Sequence, residues 1–130
     1  MPTALPAPDI EIYLQAADSA VIKDWLEQRF SQGEALIWRT DGKKSWKTTL
    51  THQDQHIPVQ IIEGASPGFV SVWFDSPHTP WANDHDCARE VFQSLGGVIR
   101  ATVGSWQEGD DPDLWWEISD SGECELHWPG

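Results

Sequence analysis

The hexapeptide Phe69-Val70-Ser71-Val72-Trp73-Phe74 is the feature that most limits what this chain can fold into. Gly68 bounds it on one side and Asp75-Ser76-Pro77 on the other. A run this short and this apolar reads as a strand buried on both faces, because a helix of that character would need about twice the length. A strand at the centre of a sheet needs neighbours, so the flanking sequence is expected to supply them.

Upstream, Ile10-Glu11-Ile12-Tyr13-Leu14 alternates as a strand, and Asp18-Ser19 offers helix-capping oxygens. Val21, Ile22, Trp25, Leu26 and Phe30 form one apolar stripe of the helix that follows, with Gly33 as its stop. Residues 35–40 and 44–51 read as a hairpin around Asp41-Gly42, a turn that places Ile37 opposite Trp46 and leaves Leu36 and Trp38 on the other side. The polar turn Gln53-Asp54-Gln55 leads to a strand over 57–62, where Pro58 favours an edge or strand-start position.

Downstream the order recurs. After Phe69–Phe74 come a loop, a helix over 84–95 ended by Gly96-Gly97, and strands over 97–105, 114–118 and 124–128. Ile10, Ile12, Tyr13 and Leu14 match Val70, Val72, Trp73 and Phe74 at one offset, which Ser45-Trp46 and Ser105-Trp106 share. The expected fold is one α+β domain over 1–130, with a flexible arm at 1–8 and modules at 9–66 and 67–130. It has a largely antiparallel sheet of about eight strands with two helices on one face, organised as a tandem β-α-β-β-β duplication.

That paired outline resembles the vicinal oxygen chelate superfamily, whose modules curve a sheet around a metal held chiefly by His and Glu. The resemblance implies ligands on the first and last strands of each module. The first strands offer only Ile10, Ile12, Val70 and Val72, leaving Glu63, Glu125 and His127 as donors; a divalent site wants three or four that converge, so no metal or other cofactor is expected. The outline also suits effector-binding modules with a ligand pocket.

Charge narrows the partners. The net charge is −13, and it is uneven: residues 1–66 hold 6 basic and 9 acidic side chains, residues 67–130 only Arg89 and Arg100 against 12 acids. Direct binding to nucleic-acid phosphates is disfavoured, and a basic protein partner is the natural complement. Mimicry of DNA phosphates by the acidic face is a weaker alternative, resting on charge alone. Met1 to Pro8 lacks the basic start and apolar middle of a signal peptide, and no apolar run spans a bilayer, so a cytoplasmic protein without membrane contact is expected. In that setting Cys87 and Cys124 are expected to be reduced, buried thiols.

Nine tryptophans exceed what a core of this size needs. Two placements follow. Pairing 114–118 with 124–128 puts Trp115, Glu117, Glu125 and His127 on one face, beside the acidic loop carrying Asp110, Asp111 and Asp113, as a ligand or partner surface. Alternatively, Trp38, Trp46, Trp73, Trp106 and Trp116 line a small-molecule pocket. His52 and His56 flank one turn and His78 and His85 another; solvated loops and helix capping account for them. A Cys87 nucleophile activated by His85 is disfavoured, because residues two apart on a helix diverge. No glycine-rich phosphate loop links a strand to a helix, and Lys43, Lys44 and Lys47 are too few for a nucleic-acid site. The sequence therefore favours a non-enzymatic protein-binding module of inhibitor or immunity type, with the pocket protein as alternative.

Overall fold

The computed structural model describes residues 8–15, 18–31, 36–103 and 113–128. The expected α+β fold is present: one antiparallel sheet of eight strands, with two helices on one face. The elements are β1 (Ile10–Gln15), α1 (Ser19–Phe30), β2 (Arg39–Thr40), β3 (Ser45–His52), β4 (Gln55–Ser66), β5 (Phe69–Phe74), α2 (Asp84–Leu95), β6 (Ile99–Thr102), β7 (Leu114–Ser119) and β8 (Gly122–His127). Their order across the sheet is β2-β3-β4-β5-β1-β6-β7-β8. The apolar hexapeptide is β5, paired along its length with β1 and on its other side with β4.

The strand order does not display a repeat. β4, the last strand of the first half, joins β5, whereas β6, the first of its triplet in the second half, joins β1. Two strand-helix-strand patterns of similar sequence thus enter the sheet by different routes.

The core lies between the sheet and the helices. Ile10, Ile12 and Leu14 meet Val70, Val72 and Phe74 from the neighbouring strand, and Ile22 and Leu26 of α1 and Cys87, Ala88 and Val91 of α2 close over them. Asp18 caps α1 by accepting from Ala20 N (2.9 Å), and Asn83 caps α2 by accepting from Asp86 N (2.9 Å). Gly96 ends α2 at φ +70, a conformation that disfavours other residues there. α1 is capped by Ser31; the expected stop at Gly33 lies outside the described residues. Among the described residues no helix is long and apolar enough to cross a membrane.

Three local expectations are corrected. The β2–β3 connection is not a two-residue turn: Asp41 N bonds Ser45 O (2.8 Å), Arg39 faces Lys47 and Thr40 faces Trp46, so Ile37 does not oppose Trp46. Pro58 is not on an edge, since β4 lies between β3 and β5. It is tolerated because the pairing of β4 with β5 begins only at Val59: the Pro58 carbonyl accepts from Asp75 N (2.8 Å), past the last β5 residue, and the missing N–H points to that same end of the ladder, which is the strand-start position expected of it. Finally, β8 pairs one residue out of the expected register. Trp115 faces Leu126, Trp116 faces Glu125 and Glu117 faces Cys124. A slip of one residue moves every side chain to the other face.

Candidate functional site

The face of the sheet without helices carries the candidate site, because chemistry-bearing side chains gather there. Strand alternation sends Glu11 and Tyr13 of β1, Phe69, Ser71 and Trp73 of β5, Arg100 of β6, and Trp115 and Glu117 of β7 to this side. Trp128, just past β8, folds back across them. Its ring lies 4.8 Å from Trp115, 5.6 Å from Tyr13 and 4.7 Å from Phe69, centroid to centroid. Tyr13 and Trp115 meet edge to face at 5.4 Å. Two of the four rings flank a cation of the chain itself: the Arg100 guanidinium lies 4.8 Å from both Phe69 and Trp128 and donates to Glu117 Oε1 (3.0 Å).

The carboxylates nearer the sheet centre are held differently. Glu11 accepts from Tyr13 Oη (3.3 Å) and Ser71 Oγ (3.1 Å), and Asp9 accepts from the indole N–H of Trp73 (2.7 Å). These are neutral donors. Burial, with Glu11 beside it, pushes the Tyr13 phenol up to about 12. At the start of α2, burial raises the Asp84 carboxyl to about 6 against the backbone N–H of Glu11, and Asp9 and Glu11 add repulsion.

Beyond Trp73, towards the β2 edge, the same face opens into a groove of about 820 Å³. Arg39, Lys47, Gln60 and Trp73 cross its floor as one cross-strand row, and Ile37, Pro58 and Asp75 form its rim. Lys47 is paired with Asp41 (3.1 Å), and the Gln60 amide donates to Asp41 (3.3 Å) and Ser45 Oγ (2.9 Å).

The surface expected from the closing hairpin is divided by the register of β8. Trp115 and Glu117 lie on the open face, whereas Glu125 and His127 pair with Trp116 and Leu114 and point to the helix side. Asp113 accepts from Trp128 N through its carbonyl (2.7 Å) and lies 3.9 Å from His127; Asp110 and Asp111 lie outside the described residues. The four described tryptophans of the expected five-membered pocket do not share one cavity. Trp38 and Trp46 pack on the helix side, under Lys23 of α1 at 5.5 and 4.3 Å, and Trp116 is buried beneath α2, stacked on His85 at 4.2 Å. Trp73 is on the opposite face, and Trp106 lies outside the described residues. Glu63 stands four strands away from the β7–β8 hairpin, so it does not converge with Glu125 and His127. Among the described residues no group of three His, Cys, Asp or Glu side chains is placed to hold a metal.

The cysteines differ from each other. Cys87 is fully buried, and burial raises its thiol well above its usual value; Cys124 is exposed, against expectation, because β8 is an edge strand. His85 bonds Thr102 O (2.7 Å) from the helix flank and does not activate Cys87. His52 packs edge-on to Phe30, and His56 projects from the other side of the sheet, so the two do not share a ligand. No protein-family model, curated protein or solved structure matches the chain.

Sequence reasoning missed Arg100, Phe69, Tyr13 and Trp128 as a group, and it missed the groove. The available signal was the aromatic content at alternate strand positions, Tyr13, Phe69, Trp73 and Trp115, on the side opposite Ile12, Val72 and Trp116.

Proposed function

We propose that the chain is a non-enzymatic protein-binding domain of inhibitor or immunity type, whose open sheet face engages a basic partner. The observation that supports this most is the gathering of Tyr13, Phe69, Trp115 and Trp128 beside Arg100 on a face that neither described helix covers. Interface centres are enriched in Tyr, Trp and Arg, which give large contact area at small cost in side-chain entropy. Next to this cluster, Asp9 and Glu11 take hydrogen bonds from neutral groups, so their charge is left for a cation from outside. The net charge of −13 adds long-range attraction for such a partner.

The test is affinity capture from the source-cell extract, followed by binding measurements with the purified partner against wild type and Asp9→Asn/Glu11→Gln. The expected result is one partner whose binding weakens with salt and drops about tenfold on neutralising the pair. Recovery of no salt-sensitive partner, or equal binding by the neutralised variant, overturns the reading.

A further inference from the structure

We propose that the groove between the β2 edge and Trp73 is a binding site for a short peptide with free ends, its carboxylate on Arg39 and its ammonium on Asp75. This site lies on the other side of Trp73 from the partner surface and shares with it only the contact of Asp9 with the Trp73 indole.

The groove is dipolar by construction. Its outer end carries Arg39 and Lys47 and its inner end Asp75, with Asp41 bound to Lys47. Among the described residues, Arg39 and Asp75 make no side-chain ion pair, and both are exposed. Several groups between them have partners within the protein. Lys47 and Gln60 are fixed through Asp41, the Trp73 indole is pinned by Asp9, and the Asp75 backbone is tied to Pro58 O. A free positive end, a free negative end and a floor whose Gln60 and Trp73 are hydrogen-bonded within the protein form a partly preorganised cradle.

The balance of charge excludes simpler ligands. The two cations and two carboxylates of the lining cancel, so a phosphate-rich anion meets Asp41, Asp75 and the negative field of the whole chain, while a simple cation meets Arg39 and Lys47. A ligand with both charges satisfies both ends. The apolar requirement is equally specific: Ile37 is 84% exposed on the rim it shares with Pro58, and the Trp73 ring closes the inner end, so apolar surface for an aliphatic body runs across the groove.

Length selects among dipolar molecules. Arg39 and Trp73 are three strand spacings apart, about 14 Å between backbones. After the reach of the arginine side chain, roughly 8–10 Å remains, which an extended peptide of about three residues fills. The volume of about 820 Å³ accommodates such a peptide.

The experiment is a ¹⁵N–¹H titration of the intact protein with alanyl-alanyl-leucine bearing free termini, following the Trp73 indole and Gln60 side-chain amide signals. Parallel titrations use the C-terminally amidated peptide, the N-acetylated peptide and inorganic phosphate. Saturable shifts at both groups are expected, weakened about tenfold by C-terminal amidation or by Arg39→Ala, and by a smaller factor by acetylation or Asp75→Asn. Both substituted residues are exposed, so the variants are expected to fold. The proposal is overturned by shifts that never saturate, by an amidated peptide that binds as well as the free one, or by phosphate that binds more tightly than the peptide.

Discussion

The two faces of the sheet solve the same burial problem by different means. On the helix side Ile12, Val72, Phe74 and Ile99 are almost completely enclosed by apolar neighbours, and the few polar atoms that packing traps there include the Trp38 indole N–H, buried without a partner among the described residues. On the open side, rings and charges from β5, β1, β6 and β7 cover one another, and Phe69 and Ser71 are buried although neither described helix lies above them. The first face draws on the removal of apolar area from water; the second draws on cross-strand pairs, ring contacts and a partly enclosed ion pair. A sheet can therefore protect a face with its own side chains and still present that face to a partner.

The largest difference between the faces should come from truncation. Phe74→Ala on the helix side removes a fully buried ring and should cost about 3–5 kcal/mol in urea unfolding. A loss below about 1 kcal/mol would mean that the helices pack loosely over the sheet.

A smaller effect is expected from Glu117→Gln on the open side, about 1–2 kcal/mol, because Arg100 is left with a weaker acceptor. Side-chain exposures of 16% and 18% place that pair between a surface and a buried ion pair. Replacing both partners, Arg100→Met with Glu117→Leu, should restore stability to within about 1 kcal/mol of wild type. If the double variant is less stable than Glu117→Gln, the guanidinium among the rings matters more than its salt bridge.

The smallest effect is the titration of Tyr13, the sole tyrosine of the chain, so ultraviolet absorbance reads it directly. Ionisation is expected near 12 in the folded protein, and Glu11→Gln should lower it. With the folded value above the ordinary 10, the native state keeps its proton longer than the unfolded one. The stability this contributes is complete below pH 10 and is lost as pH rises towards 12. Ionisation near 10 in the folded protein would show that water reaches the phenol freely.

How much of this was legible in the sequence depended on burial. β5 and α2 follow from their residues alone, since Phe69 to Phe74 is continuous and apolar and α2 lies between the Asn83 cap and Gly96. The register of β8 did not, because Glu123, Cys124 and Glu125 on an exposed edge carry no alternation that marks an inward face. The β2–β3 turn misled because Asp-Gly is shared by two-residue and longer connections, and Arg39–Thr40 is too short to reveal its pairing. The aromatic cluster is a long-range event. Trp128 reaches Phe69 across several strands, and no local pattern in either segment encodes that contact.

The position of β1 has a consequence for the order of assembly. This strand is synthesised before either of its partners, yet it lies between β5 and β6, so it must wait until residues 69–74 and then 99–102 exist before both edges are paired. On the ribosome β2, β3 and β4 can zip together as a local meander while β1 and α1 remain without a sheet to join. The slow step is then the capture of an early strand by late ones, an intrinsically high-contact-order event in which an unpaired apolar strand is left waiting for its neighbours.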